Sequence, residues 1–188
     1  MGWPILGTTI DGEASGDYFG YSASLSSDGT IVAIGAYGDD YAGTDSGSVS
    51  VFQYTNNDWS QLGNDIDGDD EGDNFGASVS LSSDGTIVAV GADLDDYAGT
   101  NSGSVSIFQY TNNDWSQLGT TIDGKAEYDV LGTSVSLSSD GTIVAIGAIG
   151  DDYAGDDSGS VSIYQYSNND WNQLGNFIEG DDEGDNFG

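Results

Sequence analysis

Trp3, Trp59, Trp115 and Trp171 stand 56 residues apart, and each opens the same phrase: WPILG, WSQLG, WSQLG and WNQLG. This spacing never slips, and it is the strongest constraint on the fold. One supersecondary unit is written several times, and no single copy can bury its own apolar faces. Propeller blades, solenoid coils and stacked arrays meet that condition. The copies Tyr21–Asp58 and Ala77–Asp114 are nearly identical, which points to recent duplication or to design.

One period reads as four strands. Strand A is FGASVSLS, Phe75–Ser82. Phe75, Ala77, Val79 and Leu81 fall on one face and Gly76, Ser78, Ser80 and Ser82 on the other, the two-residue period of a strand. The turn Ser83-Asp84-Gly85 follows, and Gly supplies the positive φ a tight hairpin needs. Strand B, Thr86–Ala92, is apolar on both faces, as expected of a strand covered on both sides. An acidic loop leads to strand C, Ser104–Tyr110, and the turn Thr111–Asp114 leads to strand D, Trp115–Ile122. A second acidic loop returns to the next copy.

Four antiparallel strands in about 50 residues make one propeller-type blade. The small face of strand A suits the narrow end of a wedge near an axis. A β-solenoid usually has shorter, parallel coils, and the Asp-Gly hairpin turn argues against it. The expected fold is therefore all-β: blades at 19–74, 75–130 and 131–188, preceded at 1–18 by an unpaired strand D, Trp3–Gly12, and an acidic loop. Three blades are too few to close a ring. Closure would need other chains or further repeats, and a spare strand offers an edge for association.

At this point the residues reach a family. The phrase FG…GA with strand–turn–strand between resembles the FG-GAP repeats of integrin α-subunit β-propellers. The longer phrase W-x-Q-L-G-x-x-I-x-G…FG-x-S-V-S-L-S-x-D-G-T-x-V-A-I-G-A resembles FG-GAP-like repeats of large secreted or cell-surface microbial proteins. The resemblance covers essentially the whole chain. It implies a β-propeller, an extracellular or cell-surface location, and adhesion or recognition. One part does not carry over. The integrin-type repeat has a calcium loop of the D-x-D-x-D-G kind between strands A and B. Here Ser27-Asp28-Gly29, Ser83-Asp84-Gly85 and Ser139-Asp140-Gly141 stand there, and one carboxylate cannot supply the six to eight oxygens calcium takes.

Charge narrows the function classes. The chain has 33 acidic residues, one Lys, no Arg and no His, a net charge of −32. It would repel nucleic acid and anionic membranes, and it favours divalent cations and basic partners. The acids also keep a repetitive β-protein soluble. No run approaches the roughly 18 apolar residues of a membrane helix, so no membrane insertion is expected, and no signal-peptide pattern opens the chain. Without Cys there is no disulfide or thiolate. Without His or Cys the usual nucleophile–base pairs are missing, and paired carboxylates recur in identical surroundings with nothing to split their pKa values. No enzyme is expected.

Three sets of residues are candidates for a site. Asp39 and Asp40, Asp95 and Asp96, and Asp151 and Asp152 pair their carboxylates in the B–C loops and suit calcium; the competing reading is a solvated loop of Asx-turns. The D–A loop is richest in acid, yet only its ends persist, so Asp17, Asp73, Asp129 and Asp185 are read as holding the turn into strand A. The Trp series is read as packing between blades. Tyr41, Tyr97 and Tyr153 recur in a loop where they could meet a glycan. The expected role is an extracellular structural or adhesive repeat protein that self-associates into a ring or filament. One alternative is a propeller that binds a glycan or basic protein, with cation-binding loops. The other is a designed or excised module without independent function.

Overall fold

The computed structural model describes residues 6–188. Trp3 and the start of the expected strand Trp3–Gly12 lie outside the described residues. The first repeat gives β1 (Ser22–Leu25), β2 (Ile31–Ala36), β3 (Ser48–Thr55), β4 (Asp58–Gln61) and β5 (Ile66–Asp67). The second gives β6 (Phe75–Leu81), β7 (Ile87–Ala92), β8 (Ser104–Thr111), β9 (Asp114–Gln117) and β10 (Ile122–Asp123). The third gives β11 (Leu131–Leu137), β12 (Ile143–Ala148), β13 (Ser160–Ser167), β14 (Asp170–Gln173) and β15 (Ile178–Glu179). Each repeat is one antiparallel sheet in which A pairs B, B pairs C, and C pairs both outer pieces. The three sheets pack face to face as successive blades and do not close.

Strand D differs from its expected form. It is two short pieces rather than one run over Trp115–Ile122. Trp115 to Gln117 pair with Tyr110 to Phe108, the chain then steps off the ladder, and Ile122 rejoins opposite Val105. Gly119 makes the step with φ +80°, and the Trp171 ring lies where a Cβ would stand, with Cδ1 2.8 Å from that point. The break turns the Leu118 carbonyl toward Trp171, whose Nε1–H donates to it at 2.7 Å. Strand A also carries an irregularity: Phe75 pairs with Ala92 and Ser78 with Gly91, and Gly76 bridges them at φ +91°. That bulge is why the phrase needs its glycine.

The two hairpin turns are built differently. In the C–D turn Asn112 and Asn113 both take positive φ, the two-residue turn whose twist suits a hairpin. The A–B turn spans five residues and is held by a side chain. Asp84 Oδ1 accepts from Ser82 Oγ, Thr86 N and Thr86 Oγ1 at 2.8, 3.0 and 2.8 Å. Asp28 and Asp140 repeat this arrangement. Those bonds hold the carboxyls of Asp28 and Asp84 below the ordinary value and that of Asp140 at about 2.

The core lies between the sheets. Every residue of β7, the strand with a neighbour on both faces, is buried. One apolar cluster joins Val49 and Val51 to Val88 and Val90, and the other joins Val105 and Ile107 to Val144 and Ile146. The strand-A pieces β1, β6 and β11 run side by side. Their serines, read from sequence as merely small, link the blades: the amides of Leu81 and Leu137 donate to Ser24 Oγ and Ser80 Oγ, each at 2.9 Å.

Candidate functional site

The feature that recurs with full geometry is the junction between blades. Its inner part pairs two glycines. A Cβ on Gly35 would collide with the Gly76 carbonyl, and one on Gly91 with the Gly132 carbonyl. The first glycine of each pair comes from the GA phrase of one repeat, the second from the FG phrase of the next. Ser22 Oγ and Ser78 Oγ donate to those same carbonyls at 2.7 and 2.6 Å. Further in, the A–B turn glycines Gly85 and Gly141 sit on Ile31 and Ile87 of the preceding blade. The outer part is the Trp contact. Trp115 Nε1–H donates to the Leu62 carbonyl at 2.8 Å, as Trp171 does to Leu118. Trp115 and Trp171 therefore pack between blades.

The two ends of the stack are the same junction left unfilled. Leu81 is 7% exposed at the first junction, but its counterpart Leu25 on the first blade is 60% exposed. Ile66 and Ile122 are 5% and 6% exposed, but Ile178 on the last blade is 50%. Added Cβ atoms on Gly20, Gly29 and Gly175 would meet nothing within 4 Å, although their counterparts Gly76, Gly85 and Gly119 are tightly contacted. Sequence reasoning proposed open blade faces but missed these residues. The signal was present: adding 56 to the first-blade numbers, or subtracting 56 from the last-blade ones, leads to their counterparts inside the junctions.

The acidic loops bind their own backbone. In the B–C loops, Asp39, Asp95 and Asp151 each accept the N–H two residues on, from Tyr41, Tyr97 and Tyr153, at 2.9, 2.7 and 2.9 Å. Asp40, Asp96 and Asp152 accept the N–H five residues on, from Asp45, Asn101 and Asp157. These are Asx-type loop bonds. Among the described residues no group of three or more His, Asp or Glu side chains is placed to hold a metal. The three loop tyrosines are largely exposed. In the D–A loops, Asp17 accepts from Ala14 N, Asp129 from Lys125 N and Ala126 N, and Asp185 from Asp181 N and Asp182 N.

Asp73 departs from that pattern. It lines a cleft of ≈ 450 Å³ between the D–A loop of the first blade's end, 67–74, and the second sheet, together with Asp67, Asp69, Asp70, Asp95 and Asp123. Burial, then the nearby charges of Asp95, Asp70, Asp96 and Asp69, push its carboxyl up to about 7. Burial also raises Asp67, Asp93, Asp123 and Asp129. At the next junction Lys125 stands where Asp69 stands and Phe177 where Thr121 stands. Lys125 Nζ lies 3.5 Å from the Phe177 ring centroid, and the space shrinks to ≈ 10 Å³.

These groups set a pH dependence. Between 3.8 and about 7 the folded state holds the Asp73 proton more tightly than the unfolded chain does, so stability falls as pH rises through that window. The A–B turn carboxyls act in the opposite sense at lower pH, because their contribution is lost as pH falls below 3.8 toward about 2. Thermal unfolding should give a higher Tm at pH 4.5 than at pH 8, and Asp73→Asn should flatten the difference. A Tm that rises from pH 4.5 to pH 8 contradicts the assignment.

No curated protein sequence matches the chain. Its fold is similar to several solved structures. A protein assigned as a 6-phosphogluconolactonase from Bacteroides uniformis aligns with TM-score 0.57 and 16% identity, over 90% of this chain and 46% of that one. Hydrazine synthase of Kuenenia stuttgartiensis aligns with TM-score 0.56 and 13% identity, over 96% and 40%. Sqt1 of Saccharomyces cerevisiae aligns with TM-score 0.53 and 16% identity, over 87% and 38%. At these identities the likeness is one of fold alone. The chain spans less than half the length of each of these proteins. The FG-GAP repeat profile matches residues 8–52, 66–108 and 120–164, one match per period. Those matches cover most of the chain, and the glycines of its FG and GA phrases are the ones that meet across each blade junction: the chain belongs to the FG-GAP repeat family.

Proposed function

We propose that this chain is an extracellular structural or adhesive module that associates with further copies of itself, blade face to blade face, into a ring or filament, without catalysis. The observation that supports this is the match between its two ends. The first blade leaves Leu25 and Gly29 uncovered, and the last leaves Leu174 and Ile178 uncovered. Their 56-residue counterparts are the residues that pack against each other at both internal junctions. Two unlike faces that fit each other make a head-to-tail contact, which closes into a ring or runs on as a filament according to its rotation. The extracellular setting rests on the family and on the acidic surface. Among the described residues no helix is long and apolar enough to cross a membrane.

Light scattering across a concentration series tests this. The weight-average mass should rise above 19.4 kDa as concentration rises, at ionic strength high enough to screen the charge. A strictly monomeric, folded species sinks the reading. A second reading, a cation or basic partner held by the acidic cleft, is favoured by one observation: Lys125 occupies the equivalent place at the next junction. Millimolar calcium added to the same runs separates the two. It should raise Tm if the acidic loops take up the ion and leave it unchanged if they do not.

A further inference from the structure

The cleft between the first and second blades holds more than carboxylates. Phe75 and Phe108 line it and meet edge to face, with ring centroids 6.0 Å apart. On the sheet side Ser106 Oγ and Thr121 Oγ1 share a hydrogen bond of 2.8 Å. Asp73 is uncommitted. Asp17, Asp129 and Asp185 accept N–H groups of their own loops, and among the described residues no such bond forms at Asp73.

The next junction shows what a cleft of this build accepts. Lys125, the chain's one basic side chain, stands 56 residues after Asp69, and Phe177 stands 56 after Thr121. The Lys125 ammonium lies 3.5 Å from the Phe177 ring centroid, a cation–π contact. Around the pair are Asp123, Asp129 and Asp151, the counterparts of Asp67, Asp73 and Asp95. The Phe177 ring has displaced a hydroxyl: Ser162, the counterpart of Ser106, is 1% exposed, and its Oγ has no hydrogen-bond partner among the described residues. An orphaned buried hydroxyl is unfavourable, so the pair fills this space against a local penalty. With ring and ammonium in place the space is ≈ 10 Å³; with Asp69 and Thr121 in their stead it is ≈ 450 Å³.

We propose that the open cleft binds an organic ammonium carried on an aromatic or apolar body, the two parts that Lys125 and Phe177 supply one junction on. Asp67, Asp73 and Asp95 face the ammonium, and the Phe75–Phe108 wall takes the body. This rests on the second reading above, an acidic cleft that holds a cation or basic partner, and names its ligand class. Such a ligand donates N–H groups to carboxylates and lays its carbon body on rings, whereas calcium asks for a shell of six to eight oxygens. Burial and like charge push the Asp73 carboxyl up to about 7, and a bound ammonium relieves that repulsion. The same chemistry reaches the cleft as a free amine or as a lysine side chain of another protein.

Isothermal titration calorimetry tests the assignment by stoichiometry. Wild type should bind one phenethylammonium per chain, roughly tenfold more tightly than methylammonium, which lacks the body, and should ignore uncharged phenethyl alcohol. Asp69→Lys with Thr121→Phe writes the second junction's pair into the first cleft and should bind none. Lys125→Asp with Phe177→Thr opens the second cleft and should bind two. Asp73→Asn, a milder change, should weaken binding severalfold. Circular dichroism melts verify that each variant is folded. Tighter binding of the peptide acetyl-Lys-Phe-amide than of phenethylammonium would assign the amine to a protein, and the reverse to a free amine. Binding by Asp69→Lys/Thr121→Phe as tight as that of wild type overturns the proposal. Calcium binding without phenethylammonium binding overturns the ligand class and leaves the acidic-cleft reading standing; binding of neither removes both.

Discussion

Gly91→Ala should destabilise the protein by about 3 kcal/mol, because the added methyl has no room and no cheap escape. In a chain of this length that lowers Tm by roughly 8 °C. The backbone at Gly91 has an ordinary strand conformation, so the cost isolates packing. The atoms in the way are the Gly132 carbonyl and Ser78 Oγ, which are already bonded to each other at 2.6 Å. Moving either opens the second junction along its inner edge. Gly72→Ala is the control. Gly72 has φ +89° and nothing within 4 Å, so it should cost only the strain of a left-handed residue, about 1 kcal/mol. Equal losses at the two positions would show that glycine serves this repeat through backbone freedom alone and not through close approach of blades.

Trp171→Ala should cost about 4 kcal/mol, the usual loss for a large aromatic removed from a core. Trp171 is buried in the second apolar cluster, its ring is 5.3 Å from Tyr166, and its Nε1–H closes on the Leu118 carbonyl. Trp171→Phe keeps most of the packing and loses the donor, so its cost should be nearer 1 kcal/mol. Trp59→Ala should cost less than Trp171→Ala, since Trp59 is only half-buried and lies outside both apolar clusters. Urea unfolding curves measure all three. A Trp59→Ala loss as large as that of Trp171→Ala would contradict the ranking by burial.

Much of this fold was legible in the sequence because the repeat states its own boundaries. The alternation in FGASVSLS, the doubly apolar TIVAVGA and the Asn-Asn turn gave the strands and their antiparallel order. The break in strand D was not legible, since WSQLGTTI alternates acceptably as one strand. What interrupts it is a tryptophan from the next repeat, a contact 53 residues away that no local pattern contains. The FG and GA glycines were conspicuous as letters, but their pairing across a junction needs coordinates. The Asx-turn reading of the B–C loops agrees with the bonds that Asp95 and Asp96 make. The acidic cleft was invisible for another reason: Asp70, Asp73 and Asp95 belong to loops of two different repeats, and only blade packing brings them together. The perturbed Asp73 follows from that packing and not from any motif.

The central claim is that the two outer faces of this stack are unfilled junctions of one kind. The molar mass of wild type and of Leu25→Asp, measured by light scattering over the same concentrations, tests it most directly. Leu25 is exposed in the isolated chain, so the substitution should leave the monomer folded. At a filled junction the same position is occupied by buried Leu81, where an unpaired carboxylate is costly. The account predicts mass rising with concentration for wild type and a constant 19.4 kDa for the variant. A monomeric wild type, or a variant that associates as well as wild type, would contradict it.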